Sequence, residues 1–183
     1  MATRFWAPVL GWLGAGCAAV VLAAFAPQDH DFKGRLPQLQ AKRLDQQQIA
    51  LPQGLPAERT LAVVVFGRGQ RDEARSWIEG MRLQNDRSIA WLKMPVVDDP
   101  GEEQARRAIE QRLLSRHGAD SDRSRLVLLF TDRAAFVRAA QLSSSDHASV
   151  LVVDRRGVVL ARSEGPFDES KAQALREVLL AQD

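Results

Sequence analysis

The hydrophobic residues of the chain form one long run near its start and a series of short runs after residue 60. Residues 7–26 contain no charged side chain. A helix of about 20 apolar residues is about 30 Å long, which matches the thickness of the bilayer core. The pattern therefore predicts one N-terminal transmembrane or signal helix within residues 1–26, outside the globular fold.

Two interpretations of this N-terminal helix remain open. An uncleaved anchor is favoured by the length of the apolar run and by Pro27, which directly follows it. A cleaved signal peptide would use the small residues of Ala24-Phe25-Ala26 as its processing site. The anchor predicts a single-pass inner-membrane protein whose globular domain is periplasmic, whereas cleavage predicts a soluble periplasmic protein.

After a short polar linker at residues 27–35, apolar runs alternate with segments of helical periodicity. Residues 61–66 are all apolar, and the next segment has the i, i+3, i+4, i+7 apolar spacing of an amphipathic helix. Near the C-terminus two strands flank the turn at residues 154–157 and predict a hairpin. Pro95 is expected to end the second long strand. The predicted elements are extended pieces within 36–56, strands at 61–66, 89–94, 126–130, 149–153 and 158–161, and helices at 72–84, 102–117, 133–142 and from 168 onward.

Continuous apolar strands that alternate with helices indicate a sheet covered by helices on both faces. The antiparallel hairpin near the C-terminus indicates that this sheet is mixed rather than purely parallel. We therefore expect an α/β domain over residues 36–183, built on a central mixed sheet.

Composition excludes several classes of function. The net charge is only +2, and no basic run resembles a nucleic-acid-binding arm, so no nucleic-acid partner is expected. The single cysteine, Cys17, lies in the apolar run and has no second cysteine with which to form a disulfide. The histidines His30, His117 and His147 are too scattered to predict a metal site. No motif indicates a cofactor or a small-molecule substrate.

Three motifs, in this order, resemble the thioredoxin-like fold in its peroxiredoxin-type arrangement. They are "LAVVVFGRGQ" from Leu61, "LVLLFTDRAAFVRAAQL" from Leu126 and "ASVLVVDRRGVVLARSEGP" from Ala148. The resemblance implies a thioredoxin-like sandwich over about residues 36–181. A peroxidase of this kind needs a thiolate in the first turn of the helix after the first strand. Residues 67–75 contain no cysteine, and Ala148 stands near the family's cis-proline position, so no catalytic residue is expected.

One branch of this fold that lacks catalytic cysteines fits the remaining motifs. The first strand with its turn, Trp77 in the following helix and "WLKMPVV" resemble the mitochondrial ATP synthase assembly factors (the "ATP ten" family) and their bacterial relatives. The resemblance implies a membrane-tethered, non-catalytic assembly or chaperone-like factor for a membrane protein complex, such as the ATP synthase membrane sector. Two alternatives remain open. One is a peroxiredoxin-like or thioredoxin-like oxidoreductase, and the other is a non-catalytic accessory module in periplasmic thiol-redox or haem-protein maturation.

The turn at residues 67–71 is the candidate partner-binding surface. It joins a strand to a helix, and functional sites in open α/β sheets lie at such carboxyl ends of strands. Arg68 and Arg71 would supply positive charge, and Gln70 and Trp77 would complete the contact surface. The alternative interpretation is a solvated turn with Trp77 packed in the core.

Overall fold

The computed structural model describes residues 34–118 and 120–181. The predicted N-terminal helix within residues 1–26 and nearly all of the linker lie outside the described residues. In the described part of the chain, no helix is long and apolar enough to cross a bilayer.

A mixed sheet of seven strands forms the centre of the described fold. The strands are β1 (Leu39–Arg43), β2 (Gln48–Leu51), β3 (Arg59–Val65), β4 (Trp91–Val97), β5 (Val127–Phe130), β6 (Ser149–Asp154) and β7 (Val159–Glu164). The helices are α1 (Arg71–Gly80), α2 (Glu103–Leu114), α3 (Asp120–Arg125), α4 (Arg133–Ala139) and α5 (Glu169–Leu180). The strand order is β2-β1-β5-β4-β3-β6-β7. Strands β3, β4 and β5 run parallel, and the outer pairings are antiparallel.

Both faces of the sheet carry a hydrophobic core, as the continuous apolar strands predicted. Successive side chains of a strand point to opposite faces. Val64 of β3 therefore belongs to the core that contains Phe136 of α4. Its neighbour Val63 belongs to the core that contains Trp77 of α1 and Leu175 of α5. The predicted α/β arrangement, a mixed sheet with helices on both faces, is confirmed.

The predicted hairpin between β6 and β7 is also present. The buried carboxylate of Asp154 accepts hydrogen bonds from the backbone N–H groups of Arg156 (2.9 Å) and Val158 (2.8 Å). Gly157 has a φ of 84°, which a residue without a Cβ adopts at little cost. The Asp-x-x-Gly pattern thus specifies this turn through one side-chain acceptor and one left-handed residue.

Strand β4 continues beyond Pro95, where the sequence predicted that it would end. Pro95 pairs with Val65, the last residue of β3. Proline has no backbone N–H to donate, but the β3–β4 ladder ends at this pair, so no later hydrogen bond of that ladder is interrupted. The next two residues of β4 pair with β5 instead. The prediction was wrong because a proline at the end of one ladder does not prevent pairing with the opposite neighbour.

The single helix predicted over residues 102–117 is shorter than expected. Helix α2 ends at Leu114, and the separate short helix α3 follows. The sequence of α3 is DSDRSR, which contains no apolar residue and therefore no hydrophobic period to reveal it.

Candidate functional site

The turn between β3 and α1 is open to solvent at the carboxyl end of an interior strand. A short 3-10 helix, Arg68–Gln70, leads directly into α1. Gly67 and Gly69 are exposed, and a Cβ built on either would meet no atom within 4 Å beyond its chain neighbours. A partner could therefore approach the backbone of the turn closely.

Gln70 points inward and holds the turn to another loop. Its side chain is 7% exposed. Its Oε1 accepts a hydrogen bond from Phe66 N at 2.6 Å, and its Nε2 donates to Ser145 O at 2.7 Å. The hypothesis that Gln70 contacts a partner is therefore corrected, because both of its polar atoms are already used inside the protein.

Glu73, in the first turn of α1, makes a second connection to the same loop, residues 143–148. One carboxylate oxygen accepts a hydrogen bond from Ala148 N at 2.7 Å. The other lies 2.9 Å from His147 Nδ1. Polar side chains at and just before the start of α1 thus hold this loop, through Gln70 to Ser145 and through Glu73 to Ala148. We call the contacts made by Gln70 and Glu73 with residues 143–148 the loop clamp.

The ionisation of the Glu73–His147 pair reflects this contact. Burial raises the pKa of Glu73, but the hydrogen bonds from His147 and Ala148 and the charge of His147 outweigh it, so the pKa is lowered overall. The pKa of His147 is raised by its hydrogen bond to Glu73 and by the carboxylate charge. Each group thus favours the charged form of the other.

The stability that this pair contributes should depend on pH in a defined window. It is complete between the ordinary pKa values of 4.5 for Glu73 and 6.5 for His147, where both groups are charged. It is lost as the pH rises through the raised pKa of His147, and as it falls through the lowered pKa of Glu73. We expect His147→Gln to destabilise the protein more at pH 5.5 than at pH 8.5, measured by urea unfolding.

A titration by NMR provides the control for this pH prediction. The imidazole of His147 should titrate above 6.5 in the wild-type protein and move back toward 6.5 in Glu73→Gln. An equal destabilisation by His147→Gln at both pH values would contradict the proposed contribution of the pair. The side chain of His147 is 57% exposed, so solvent screening limits the size of the effect.

Arg68 and Arg71 lie on the solvent side of the turn, as expected for contact residues. Neither forms an ion pair within residues 34–118 and 120–181. The adjacent Asp72 pairs instead with Arg75, at 3.5 Å. Both guanidinium groups are therefore free to meet an external anion.

Trp77 is fully buried, so it does not form part of the surface. Its exposure is 0%, and its indole N–H donates to Gly165 O at 2.8 Å. Its ring meets Phe167 edge to face, with centroids 5.3 Å apart. The hypothesis that Trp77 contacts a partner is wrong, because it lies on the apolar stripe of α1 that covers the sheet.

The described residues at this corner present exposed guanidinium groups and exposed backbone. The turn carries no thiol, and Cys17 lies outside the described residues. Within the described ranges, no group of three or more His, Cys, Asp or Glu side chains could hold a metal ion. Guanidinium groups and backbone N–H and C=O groups of this kind suit recognition of an anionic or hydrogen-bonding partner.

Sequence reasoning missed the loop clamp because its partners are far apart in the chain. Glu73 and His147 are 74 positions apart, and in sequence each resembles an ordinary surface residue. The available signal was the family resemblance, which places the loop before β6 beside the first turn of α1. Polar residues in that turn could therefore have been expected to face the loop.

Comparisons with known proteins support the fold. No family model and no curated protein matches the chain. Three similar solved structures are a candidate electron transport protein from Aquifex aeolicus VF5, BsSco of the Sco family of cytochrome c oxidase assembly proteins, and a thio-disulfide isomerase from Thermus thermophilus.

These similarities cover most of each chain at low sequence identity. The Aquifex protein is 10% identical, with a TM-score of 0.58 over 82% of this chain and 99% of that one. BsSco is 13% identical, with a TM-score of 0.52 over 80% and 92%. The Thermus protein is 16% identical, with a TM-score of 0.51 over 82% and 97%. At such identities the likeness establishes the fold alone, and the chain has a thioredoxin-like α/β fold with a central mixed sheet.

Proposed function

We propose that this protein is a non-catalytic, membrane-tethered assembly or chaperone-like factor for a membrane protein complex. The tether is residues 7–26, and the globular domain faces the periplasm. The partner contacts the exposed turn at residues 67–71 through Arg68 and Arg71. The first candidate for the partner is the ATP synthase membrane sector, because of the sequence resemblance to its assembly factors.

The loop clamp is the observation that carries this proposal. In the thioredoxin-like fold, the corner between the first helix and the loop before β6 is where a reactive thiol would meet its substrate. Here Gln70 and Glu73 occupy the inner side of that corner with hydrogen bonds to Ser145 and Ala148. The outer side presents arginine and glycine. A corner arranged in this way supports binding more than thiol exchange.

A second candidate function is favoured by the structural comparisons. BsSco belongs to a family of cytochrome c oxidase assembly proteins, and the Thermus protein is a thio-disulfide isomerase. An accessory role in thiol-redox or haem-protein maturation is therefore the alternative. Both candidates predict a partner protein, and they differ in which one.

Affinity capture tests both candidates. The tagged full-length chain is solubilised in detergent from carbonate-washed membranes, and the co-purifying subunits are identified and quantified. We expect ATP synthase membrane subunits in the captured fraction. Arg68→Ala/Arg71→Ala should reduce their recovery by about tenfold at low salt, because unpaired charges act on the encounter between partners.

A matched control separates the turn from total charge. Arg87 and Arg138 are exposed arginines without an ion pair in the described residues, so Arg87→Ala/Arg138→Ala removes the same charge elsewhere. Equal recovery with both double variants would contradict a contact at the turn.

Capture of cytochrome or disulfide-forming components would favour the second candidate. Release of the chain by the carbonate wash would contradict the tether, and thiol–disulfide turnover above a no-protein control would contradict the non-catalytic assignment.

A further inference from the structure

Helix α2 is packed less deeply than the other long helices of the fold. None of its residues is buried, whereas α1 buries Trp77 and α5 buries Leu175. Its largest apolar side chains, Ile109, Leu113 and Leu114, are half-buried, and neither hydrophobic core of the sheet includes them. Protein interiors are normally close-packed, so a helix seated in this way leaves unfilled space beside the sheet.

A cavity of about 980 Å³ lies between α2 and the hairpin of β1 and β2. Its walls include Gln111 and Leu114 of α2 and Gln46 in the turn after β1. One ion pair joins the two walls, with Nζ of Lys42 3.2 Å from Oε2 of Glu110. The volume is that of a small-molecule site, which typically measures roughly 300–1,000 Å³.

A second cavity, of about 320 Å³, adjoins the first, and Lys42 lines both. Lys42 of β1 is opposite Gln48 of β2 on one side and Leu128 of β5 on the other. Side chains of directly opposite residues lie on the same face of a sheet, so these three form a row across the floor. Phe130, two residues after Leu128, shares that face. We call the two adjoining cavities the α2 groove.

The charged side chains that line the larger cavity compensate one another. Three are basic and three are acidic: Lys42, Arg107, Arg123, Asp45, Glu103 and Glu110. Besides the pair of Lys42 with Glu110, Nε of Arg107 lies 3.0 Å from Oε1 of Glu103. The groove therefore has no excess charge to attract an ionic ligand.

The floor of the α2 groove offers side chains but no free strand edge. At Lys42, β1 pairs with β2 and with β5, so no added strand can form backbone hydrogen bonds there. Four glutamine carboxamides line the groove, those of Gln40, Gln46, Gln48 and Gln111. A carboxamide carries both an acceptor and donors. One N–H of Gln46 donates to Leu44 O at 3.3 Å, which leaves its oxygen as an acceptor.

We propose that the α2 groove binds a neutral oligosaccharide. Each hydroxyl of a sugar both donates and accepts hydrogen bonds, which matches the carboxamides and the ion pair of Lys42 with Glu110. The C–H face of a sugar ring packs against apolar surface such as that of Leu128 and Phe130. A peptide strand would need the missing strand edge, and an anionic ligand would need uncompensated positive charge. The proposal does not depend on the assembly role, because sugar binding is measured without the partner.

The test titrates two neutral trisaccharides, maltotriose and triacetylchitotriose, into the full-length chain, followed by calorimetry. The detergent is a polyoxyethylene ether, which has no sugar headgroup. The groove variant Gln46→Ala/Gln111→Ala removes one carboxamide from each wall, and its affinity should be weaker by roughly tenfold, because hydrogen bonds to the ligand are lost. The control Gln47→Ala/Gln104→Ala removes two exposed glutamines from the same turn and helix that do not line the groove, and it should bind as the wild-type protein does.

Two further measurements locate the ligand. The side-chain amide signals of Gln46 and Gln111 in NMR spectra should shift on titration, whereas those of Gln47 and Gln104 should not. Leu114→Trp places a larger side chain in the cavity, so it should abolish binding. Because Leu114 is half-buried and belongs to neither core, the Tm of this variant should stay close to that of the wild-type protein.

An uncharged tripeptide with blocked ends tests the competing class of ligand. Binding of either trisaccharide that is weakened in the groove variant and unchanged in the control supports the proposal. The proposal is overturned if the wild-type protein binds neither trisaccharide, or if the groove and control variants bind equally. It is also overturned if the tripeptide binds as tightly as the trisaccharides, which would assign the groove to peptides.

Discussion

Replacing Trp77 with alanine is expected to lower the free energy of unfolding by about 3–5 kcal/mol. The side chain is fully buried between α1 and the sheet, in contact with Phe167. Its removal leaves a cavity and deprives the buried Gly165 carbonyl of its hydrogen bond from the indole. Equilibrium unfolding in urea, followed by circular dichroism at 222 nm, measures the loss.

Two controls distinguish a packing role for Trp77 from a surface role. Trp77→Phe keeps an aromatic ring but loses the N–H, so it should cost less than the alanine variant. Arg71→Ala, on the exposed side of the same helix, should change the stability by less than about 0.5 kcal/mol. A stability of Trp77→Ala close to that of the wild-type protein would contradict its burial and restore it as a contact residue.

The elements with clear hydrophobic periods were predictable from the sequence. The apolar run that became β3, the amphipathic pattern of α1 and the Asp-x-x-Gly hairpin after β6 all appear as expected. Each is specified by side chains close together in the chain. Helix α3 and the end of β4 were not predictable from the sequence. Helix α3 has no apolar residue, and β4 contains Pro95, a residue that usually ends a strand.

The candidate site was predictable in position but only partly in composition. The polar residues of the turn look equally solvated in sequence, yet Arg68 is exposed and Gln70 is buried. The inward direction of Gln70 depends on an acceptor at Ser145, 75 positions later. Local patterns do not contain this information.

Removing the polar atoms of Gln70 should open the loop clamp. Gln70→Leu has a similar size but leaves the N–H of Phe66, which bonds to the Gln70 Oε1 in a buried setting, without an acceptor. An unsatisfied buried donor costs about 1–3 kcal/mol, and we expect a loss of unfolding free energy in that range. Urea unfolding measures it, with Arg68→Ala as the neighbouring surface control. A loss no larger than that of the control would contradict the role of Gln70 in holding the turn.

Gln70→Glu separates the two hydrogen bonds of this side chain by their response to pH. One oxygen of the introduced carboxylate still accepts from Phe66 N, but the other replaces the amide nitrogen that donates to Ser145 O at 2.7 Å. Two acceptors then face each other in a part-buried site, which raises the pKa of the introduced carboxyl above the ordinary glutamate value of about 4.3. The variant should therefore be less stable than the wild-type protein at pH 7, and this deficit should shrink as the pH falls through the raised pKa, because the protonated carboxyl can donate to Ser145. The unfolding free energies of the two proteins are compared at each pH, and a deficit that stays constant or grows on acidification would show that Gln70 does not donate to the loop.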